Sequence, residues 1–148
     1  MSRELLEAAM AAAANAHAPY SHFGVGAALL LDDGTIVTGC NFENASYGLT
    51  LCAETVVLAT LNTQGKLKQA REIAIIGGVL KDGTISGSAP VRPCGRCRQV
   101  LNEAAQLART DLIVHCASAD FSVVEEHRLS DLLPFPFGPA DVGLVQDD

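Results

Sequence analysis

Basic residues and long apolar runs are both scarce in this chain. Ten Lys and Arg stand against 17 Asp and Glu, which gives a formal net charge of −7. Proteins that hold a nucleic-acid backbone by charge neutralisation have the opposite balance, so we expect a small-molecule ligand and no nucleic-acid partner. The longest apolar stretch, residues 24–31, is too short to span a bilayer as a helix, and we expect no membrane association.

A secretion signal is also missing from the first residues. Residues 1–17 carry Glu4 and Glu7 among alanines and lack a basic region followed by an uninterrupted apolar run, so we expect a cytoplasmic protein. Five cysteines, an odd number in such a chain, argue against a disulfide framework and for metal binding or catalysis. The 148 residues are 49% hydrophobic and 18% charged, which favours one folded domain over disorder.

Apolar spacing and turn residues divide the chain into alternating helices and strands. Strands separated by helices usually lie parallel in one sheet, so this order predicts an α/β fold with a mixed sheet flanked by helices. The predicted elements are a helix ending before residue 18, strands 24–31 and 35–40, a helix over 51–61, strand 72–80, a turn-rich stretch over 84–92, a helix over 94–108, strands 111–116 and 121–124, and a helical turn over 129–133.

Three cysteines share one structural setting. Cys94 and Cys97 form a C-x-x-C pair that opens a predicted helix, and Cys52 lies near the start of another. Helix N-termini favour thiolates, and thiolates bind zinc. Three protein ligands leave one coordination position for water, which is the catalytic arrangement. Glu54, two residues after Cys52, is then placed to move protons to and from that water.

Plainer interpretations of these residues remain open. The C-x-x-C pair alone is also typical of a thiol-disulfide enzyme, and Cys52 with Glu54 could be a buried thiol beside an exposed helix carboxylate. Cys40 and Cys116 each end a predicted strand, and we assign both to packing. Either one, as a fourth ligand, would make the zinc structural.

Two motifs resemble the zinc signature of the small cytidine deaminases. They are Cys52-Ala53-Glu54 and Pro93-Cys94-Gly95-Arg96-Cys97-Arg98-Gln99, and the resemblance extends over residues 3–138. It implies a three-layer α/β/α fold with a mixed five-stranded sheet, in one domain over residues 1–138 with a tail over 139–148. It also implies one Zn²⁺ per subunit held by Cys52, Cys94 and Cys97, with Glu54 as the catalytic residue.

The resemblance also implies a substrate site. Residues 41–48 resemble the family's ribose-binding loop, in which Asn41 and Glu43 hold sugar hydroxyls, and Phe23 lines the pyrimidine pocket with Ala53. Tyr47 and Phe137 match positions that reach a neighbouring subunit in the family's homotetramer. Without the family, the loop is a run of turn formers, Phe23 is a core residue and Phe137 caps its own core.

The implied reaction is the hydrolytic deamination of cytidine and deoxycytidine to uridine and deoxyuridine, with release of ammonia, by zinc-activated water and a Glu54 proton shuttle. A deaminase of another amino-pyrimidine nucleoside, such as a blasticidin-type antibiotic, is the main alternative; a structural-zinc module and a thiol-disulfide enzyme are the others. One residue departs from the pattern. Thr55 stands where many relatives place an Arg that offsets thiolate charge, and Arg96 and Arg98 are the nearest other cations in the sequence.

Overall fold

The computed structural model describes residues 2–145. Its sheet and helices follow the predicted alternation. In chain order the elements are α1 Ser2–Ala13, β1 Phe23–Leu31, β2 Ile36–Cys40, α2 Ala53–Thr63, β3 Ala70–Lys81, β4 Thr84–Ser86, α3 Gly95–Ala108, β5 Ile113–Ser118, β6 Val124–Arg128 and α4 Leu129–Leu132, with short 3₁₀ turns at Tyr47–Leu49, Leu67–Gln69 and Pro139–Val142.

The sheet is mixed, as predicted, and has six strands. Five of them lie in the order β2-β1-β3-β5-β6, and β4 pairs with the end of β3 beside that path. The β3–β5 pair is parallel and the other pairs are antiparallel. The prediction of five strands is wrong by this one short strand, because three residues in a turn-rich stretch are too few to show an alternating pattern.

The last strand lies further along the chain than predicted. The predicted strand over 121–124 overlaps β6 only at Val124. Phe121 has a φ of 60°, and the Asp120 side chain accepts the backbone N–H of Ser122 at 2.9 Å, so these residues form a turn. The edge strand β6 is mostly charged, so it lacks the alternation of apolar residues that indicates a strand.

Helices cover both faces of the sheet, which confirms the three layers. One face packs against α1, where Leu5 and Leu6 are buried with Ile76 of β3. The helix lies so close to β1 that a Cβ on Gly26 would overlap the Ala9 carbonyl oxygen. The other face packs against α2 and α3 in a second cluster, whose largest members are Leu29, Leu31, Val57, Leu61, Ile73, Ile75, Leu101, Leu112 and Val114.

The second face places the starts of α2 and α3 side by side. Cys52 and Cys94 are the N-cap residues of α2 and α3, both with extended backbone. Cys97 lies in the first turn of α3, where its backbone N–H donates to the Cys94 Sγ at 3.4 Å. Among residues 2–145, no helix combines the length and apolar character that a membrane crossing requires.

Candidate metal centre and active site

The three predicted cysteine ligands meet between the two helix starts. The Sγ atoms of Cys52, Cys94 and Cys97 all lie within 4.8 Å of one another. Cys97 is buried and Cys94 is exposed, so the cluster is reached from one side. The free N–H groups at both helix N-termini favour negative charge at this point.

The donor set fits zinc. Three sulfur ligands at about 2.3 Å from a common centre are typical of zinc sites, and the separations here allow it. Within residues 2–145, no further His, Cys, Asp or Glu joins the group. Cys116 is fully buried in the core of β5, and Cys40 lines a different cavity beside α2. The described residues therefore supply three ligands and leave the fourth position open, as expected for a catalytic site.

Hydrogen bonds within the cluster divide the thiol charge unevenly. Hydrogen bonding with the Cys97 thiol, aided by Cys94 and by the positive charge of Arg96, outweighs burial and lowers the pKa of Cys52 to about 6. The same hydrogen bond, followed by burial, raises the pKa of Cys97 far above its usual range. The opposite directions of these two pKa shifts mean that Cys52 loses its proton more readily than Cys97, and metal binding requires both thiols as thiolates.

Arg98 lies apart from the thiolates although it is close to them in sequence. Its guanidinium donates to the carbonyl oxygens of Pro93 at 2.8 Å and Leu132 at 2.9 Å. Thr55 brings no positive charge, and its buried Oγ1 has no hydrogen-bond partner among the described residues. Of the two arginines in the zinc motif, Arg96 is the one whose charge lowers the pKa of Cys52, and both helix N-termini favour negative charge at the cluster.

Glu54 is buried beside the cluster in the first turn of α2. Its exposed fraction is 4%, which excludes the interpretation as an exposed helix carboxylate. Burial raises the pKa of Glu54, and the negative charge of Cys52 raises it further. A carboxylate in this environment takes up a proton more readily than an ordinary glutamate, which is what a proton carrier near neutral pH requires.

A cavity of about 320 Å³ connects the cysteine cluster with the loop after β2. Four predicted substrate residues line it together with two of the predicted ligands and Glu54. Phe23 is 38% exposed and is therefore not a core residue. The lining comprises Ser21, Phe23, Val25, Asn41, Glu43, Thr50, Leu51, Cys52, Ala53, Glu54, Val91, Arg92 and Cys94.

The Glu43 carboxylate is a second buried acid in the wall of this cavity. Its Oε1 accepts the backbone N–H groups of Tyr20 at 3.0 Å and Ser21 at 3.1 Å. Burial tends to raise the pKa of Glu43, but the hydrogen bonds from Ser21 and Tyr20 outweigh it and hold the pKa below its usual value. Glu43 is thus a buried, charged hydrogen-bond acceptor facing the cavity, not a simple turn residue.

Two predicted site residues lie outside this cavity. Tyr47 is 74% exposed and lines an adjoining cavity of about 390 Å³, where its ring meets Tyr20 edge-on with centroids 5.6 Å apart. Phe137 is 66% exposed on the segment after α4. Both were predicted to act in a neighbouring subunit, so their contribution there stays a prediction.

A charged pair at the cavity wall was not predicted from the sequence. Arg92 lines the cavity and binds Glu125 through two hydrogen bonds of 2.9 and 2.6 Å, while His127 Nε2 lies 3.0 Å from the same carboxylate. Arg92 is two residues before Cys94, which was the only available signal. Glu125 is far away in sequence, and only the position of β6 brings it here.

The comparison with known families agrees with this site. The family model for the cytidine and deoxycytidylate deaminase zinc-binding region matches residues 1–113. The chain belongs to the cytidine and deoxycytidylate deaminase family. With three cysteine ligands positioned for the metal, this family membership makes the protein a zinc-dependent hydrolase.

Relatives in this deaminase family match almost the whole chain. A cytidine deaminase of Mycobacterium tuberculosis is 46% identical over 88% of this chain and 85% of its own length. One from Halalkalibacterium halodurans is 38% identical over 96% and 98%. A crystal structure of cytidine deaminase from Burkholderia pseudomallei, 39% identical, superposes with a TM-score of 0.79 and covers 93% of this chain and 99% of that one. The M. tuberculosis enzyme structure, 44% identical, gives a TM-score of 0.70 over 92% and 96%.

Proposed function

We propose that the protein deaminates cytidine and deoxycytidine hydrolytically, forming uridine or deoxyuridine and ammonia. One observation carries this proposal: a single cavity is lined by the buried Glu54, by two cysteines of the three-cysteine cluster and by the buried, charged Glu43. The cavity thus offers a reactive group for a base and a hydrogen-bond acceptor for a sugar hydroxyl, the two parts of a nucleoside.

Glu54 carries the proton transfers in this reaction. Cys52, Cys94 and Cys97 hold the zinc, which when bound supplies Lewis-acid activation of the attacking water. The Glu54 carboxylate accepts one proton of that water and delivers it to N3 of the pyrimidine as the hydroxyl adds to C4. It then accepts the proton of the C4 hydroxyl and delivers it to the amino nitrogen, so that the C4 carbonyl forms as ammonia leaves. Its raised pKa lets it hold the proton between these transfers.

The remaining lining residues orient a neutral nucleoside. The backbone N–H groups of Tyr20 and Ser21 both donate to Oε1 of Glu43, and a charged carboxylate has further acceptor capacity for a sugar hydroxyl. Phe23 offers an aromatic wall for the base. The charge of Arg92 is satisfied by Glu125, so the cavity offers no free cation from the described lining for a phosphate.

The functional unit is one domain over residues 1–138 with a tail over 139–148, in a cytoplasmic homotetramer. The exposure of Tyr47 at 74% and Phe137 at 66% supports this assembly, because large exposed aromatic residues are typical of surfaces that become covered. In the tetramer both side chains complete the substrate site of a neighbouring subunit. Of the tail, residues 146–148 lie outside the described part of the chain.

The test uses purified protein of known metal content. Incubation with cytidine should yield uridine and ammonia in equal amounts, and a blasticidin-type antibiotic should be turned over far more slowly. Faster turnover of the antibiotic would instead favour the alternative deaminase. A protein that binds no zinc and whose Cys94–Cys97 pair can be oxidised would instead favour a thiol-disulfide enzyme.

A further inference from the structure

The polar side of α3 holds the C-terminal segment by its backbone. Gln99 Nε2 donates to the Phe137 carbonyl oxygen at 2.7 Å, and Asn102 Nδ2 donates to the same oxygen at 3.3 Å. One helical turn further on, Gln106 Oε1 accepts the backbone N–H of Ala140 at 2.9 Å. We call these three amides, Gln99, Asn102 and Gln106, the tail clamp. Because it binds main-chain atoms, it fixes the path of the segment.

The tail clamp requires glycine at position 138, because there is no space for a side chain there. A Cβ on Gly138 would lie 2.5 Å from Asn102 Nδ2 and 2.7 Å from Gln106 Oε1. The φ of Gly138 is −163°, an extended conformation that any residue adopts, so the requirement is for space alone. An added methyl group would displace the amides that bind the segment.

Arg98 connects the same segment to the metal site. Its guanidinium donates to the Pro93 carbonyl at 2.8 Å and to the Leu132 carbonyl at 2.9 Å. Pro93 directly precedes the ligand Cys94, and Leu132 is the last residue of α4, from which the chain continues to Phe137. One side chain thus ties the cysteine loop to the start of the segment.

The result is an exposed ring on an anchored backbone. The Phe137 side chain is 66% exposed while its carbonyl oxygen accepts two hydrogen bonds. An aromatic side chain left in water on a tightly held segment is expected where the ring must meet a ligand in a set place. We propose that the tail clamp residues Gln99 and Asn102 are positioning residues that fix Phe137 for contact with the nucleoside. This rests on the proposed function, in which Phe137 completes a substrate site.

Loss of the clamp should weaken substrate binding and spare the chemical step. The hydrogen bonds of the clamp amides join the tail, and among the described residues none of them joins a cysteine thiol or Glu54, so zinc content and kcat should stay near the parent values. The aromatic contact is a binding contact, so KM for cytidine should rise. One hydrogen bond is typically worth about 0.5–1.5 kcal/mol, which corresponds to about a 2- to 10-fold increase in KM.

The experiment compares four variants with the parent. Gln99→Glu keeps the shape of the side chain and removes the N–H donor, whereas Gln99→Lys restores an N–H donor. Gly138→Ala displaces the clamp sterically, and Glu103→Gln, at an exposed position of the same helix, is the control. Gln99→Glu and Gly138→Ala should raise KM, while Gln99→Lys and the control stay near the parent. Unchanged KM in both Gln99→Glu and Gly138→Ala would overturn the inference.

Two further measurements separate this inference from the proposed function. If Phe137→Ala raises KM and the clamp variants do not, the proposed site stands and the positioning role is wrong. If Phe137→Ala leaves KM unchanged, Phe137 has no part in the site and the inference is overturned with it. Amide hydrogen exchange at Ala140, which needs no activity, should be faster in Gly138→Ala. Unchanged exchange there would also contradict the clamp.

Discussion

The Asn41 side chain is joined to the backbone around Phe23. Asn41 Nδ2 donates to the Phe23 carbonyl oxygen at 2.8 Å, and Asn41 Oδ1 accepts the N–H of Val25 at 2.8 Å. The residue proposed to hold a sugar hydroxyl therefore also fixes the backbone of the residue proposed to contact the base. We predict that binding of the sugar and binding of the base are coupled through this one amide.

Replacing Asn41 by Asp tests that coupling. The aspartate keeps an acceptor for Val25 and loses the donor to Phe23, which leaves two oxygens facing each other in a buried place. We expect a loss of about 1–3 kcal/mol in the free energy of unfolding and a higher KM for cytidine. Asn44→Asp is the matched control, because Asn44 Oδ1 accepts the backbone N–H of Ser46 and its Nδ2 donates to no other residue between 2 and 145. If the two variants have the same free energy of unfolding in urea and the same KM for cytidine, the proposed role of Asn41 is wrong.

Removal of any one ligand should abolish stoichiometric zinc. Cys52→Ser, Cys94→Ser and Cys97→Ser each leave two thiolates, which hold the metal far less well than three. Elemental analysis should find one zinc per chain in the parent and well under one in each variant. Cys40→Ser, at a half-buried cysteine in another cavity, should keep its zinc. Loss of zinc in Cys40→Ser would mean that the ligand set is wrong.

The Arg92–Glu125 pair should give the protein an acid-sensitive component of stability. Hydrogen bonds from Arg92, and then from His127, hold the pKa of Glu125 below its ordinary value of 4.5. A lowered folded-state pKa means that this stabilisation is complete above about pH 4.5 and is lost as the pH falls through the folded-state pKa. Thermal melts of Glu125→Gln between pH 3 and 7 should therefore depend less on pH at the acid end. Glu103→Gln should follow the parent curve.

The contact between α1 and β1 predicts one severe stability defect. A methyl group on Gly26 would overlap the carbonyl oxygen of Ala9, so Gly26→Ala must push the helix off the sheet. We expect a loss of about 3 kcal/mol in the free energy of unfolding. A Cβ on Gly48 meets nothing within 4 Å, so Gly48→Ala should unfold like the parent. A stable Gly26→Ala protein would show that α1 lies elsewhere.

The sequence alone predicts the parts of the site that depend on local structure. Cys52, Cys94 and Glu54 are placed by helix starts, which apolar spacing locates to within two residues. The strands β1, β2, β3 and β5 follow from apolar runs in the same way. β6 does not, because most of its residues are charged and give no apolar run, and the apolar residue Phe121 before it has a left-handed backbone.

Long-range pairings could not be predicted. Arg92 and its partner Glu125 are 33 residues apart in the sequence, and Gln99 and its partner Phe137 are 38 residues apart. The spacing of such residues in the sequence does not predict these contacts, because they form only when the whole chain is folded. The buried state of Glu54 is similar, because a glutamate in the first turn of a helix is normally exposed.

The measurement that tests the central claim most directly is the turnover of cytidine by Glu54→Gln loaded with zinc. The glutamine keeps the size of the side chain and cannot carry the proton, so kcat should fall by about 100- to 10,000-fold. Zinc content should stay at one per chain, because Glu54 is not needed as a ligand. The parent should form uridine and ammonia under the same conditions. A zinc-replete Glu54→Gln protein that turns over cytidine at the parent rate would contradict the mechanism.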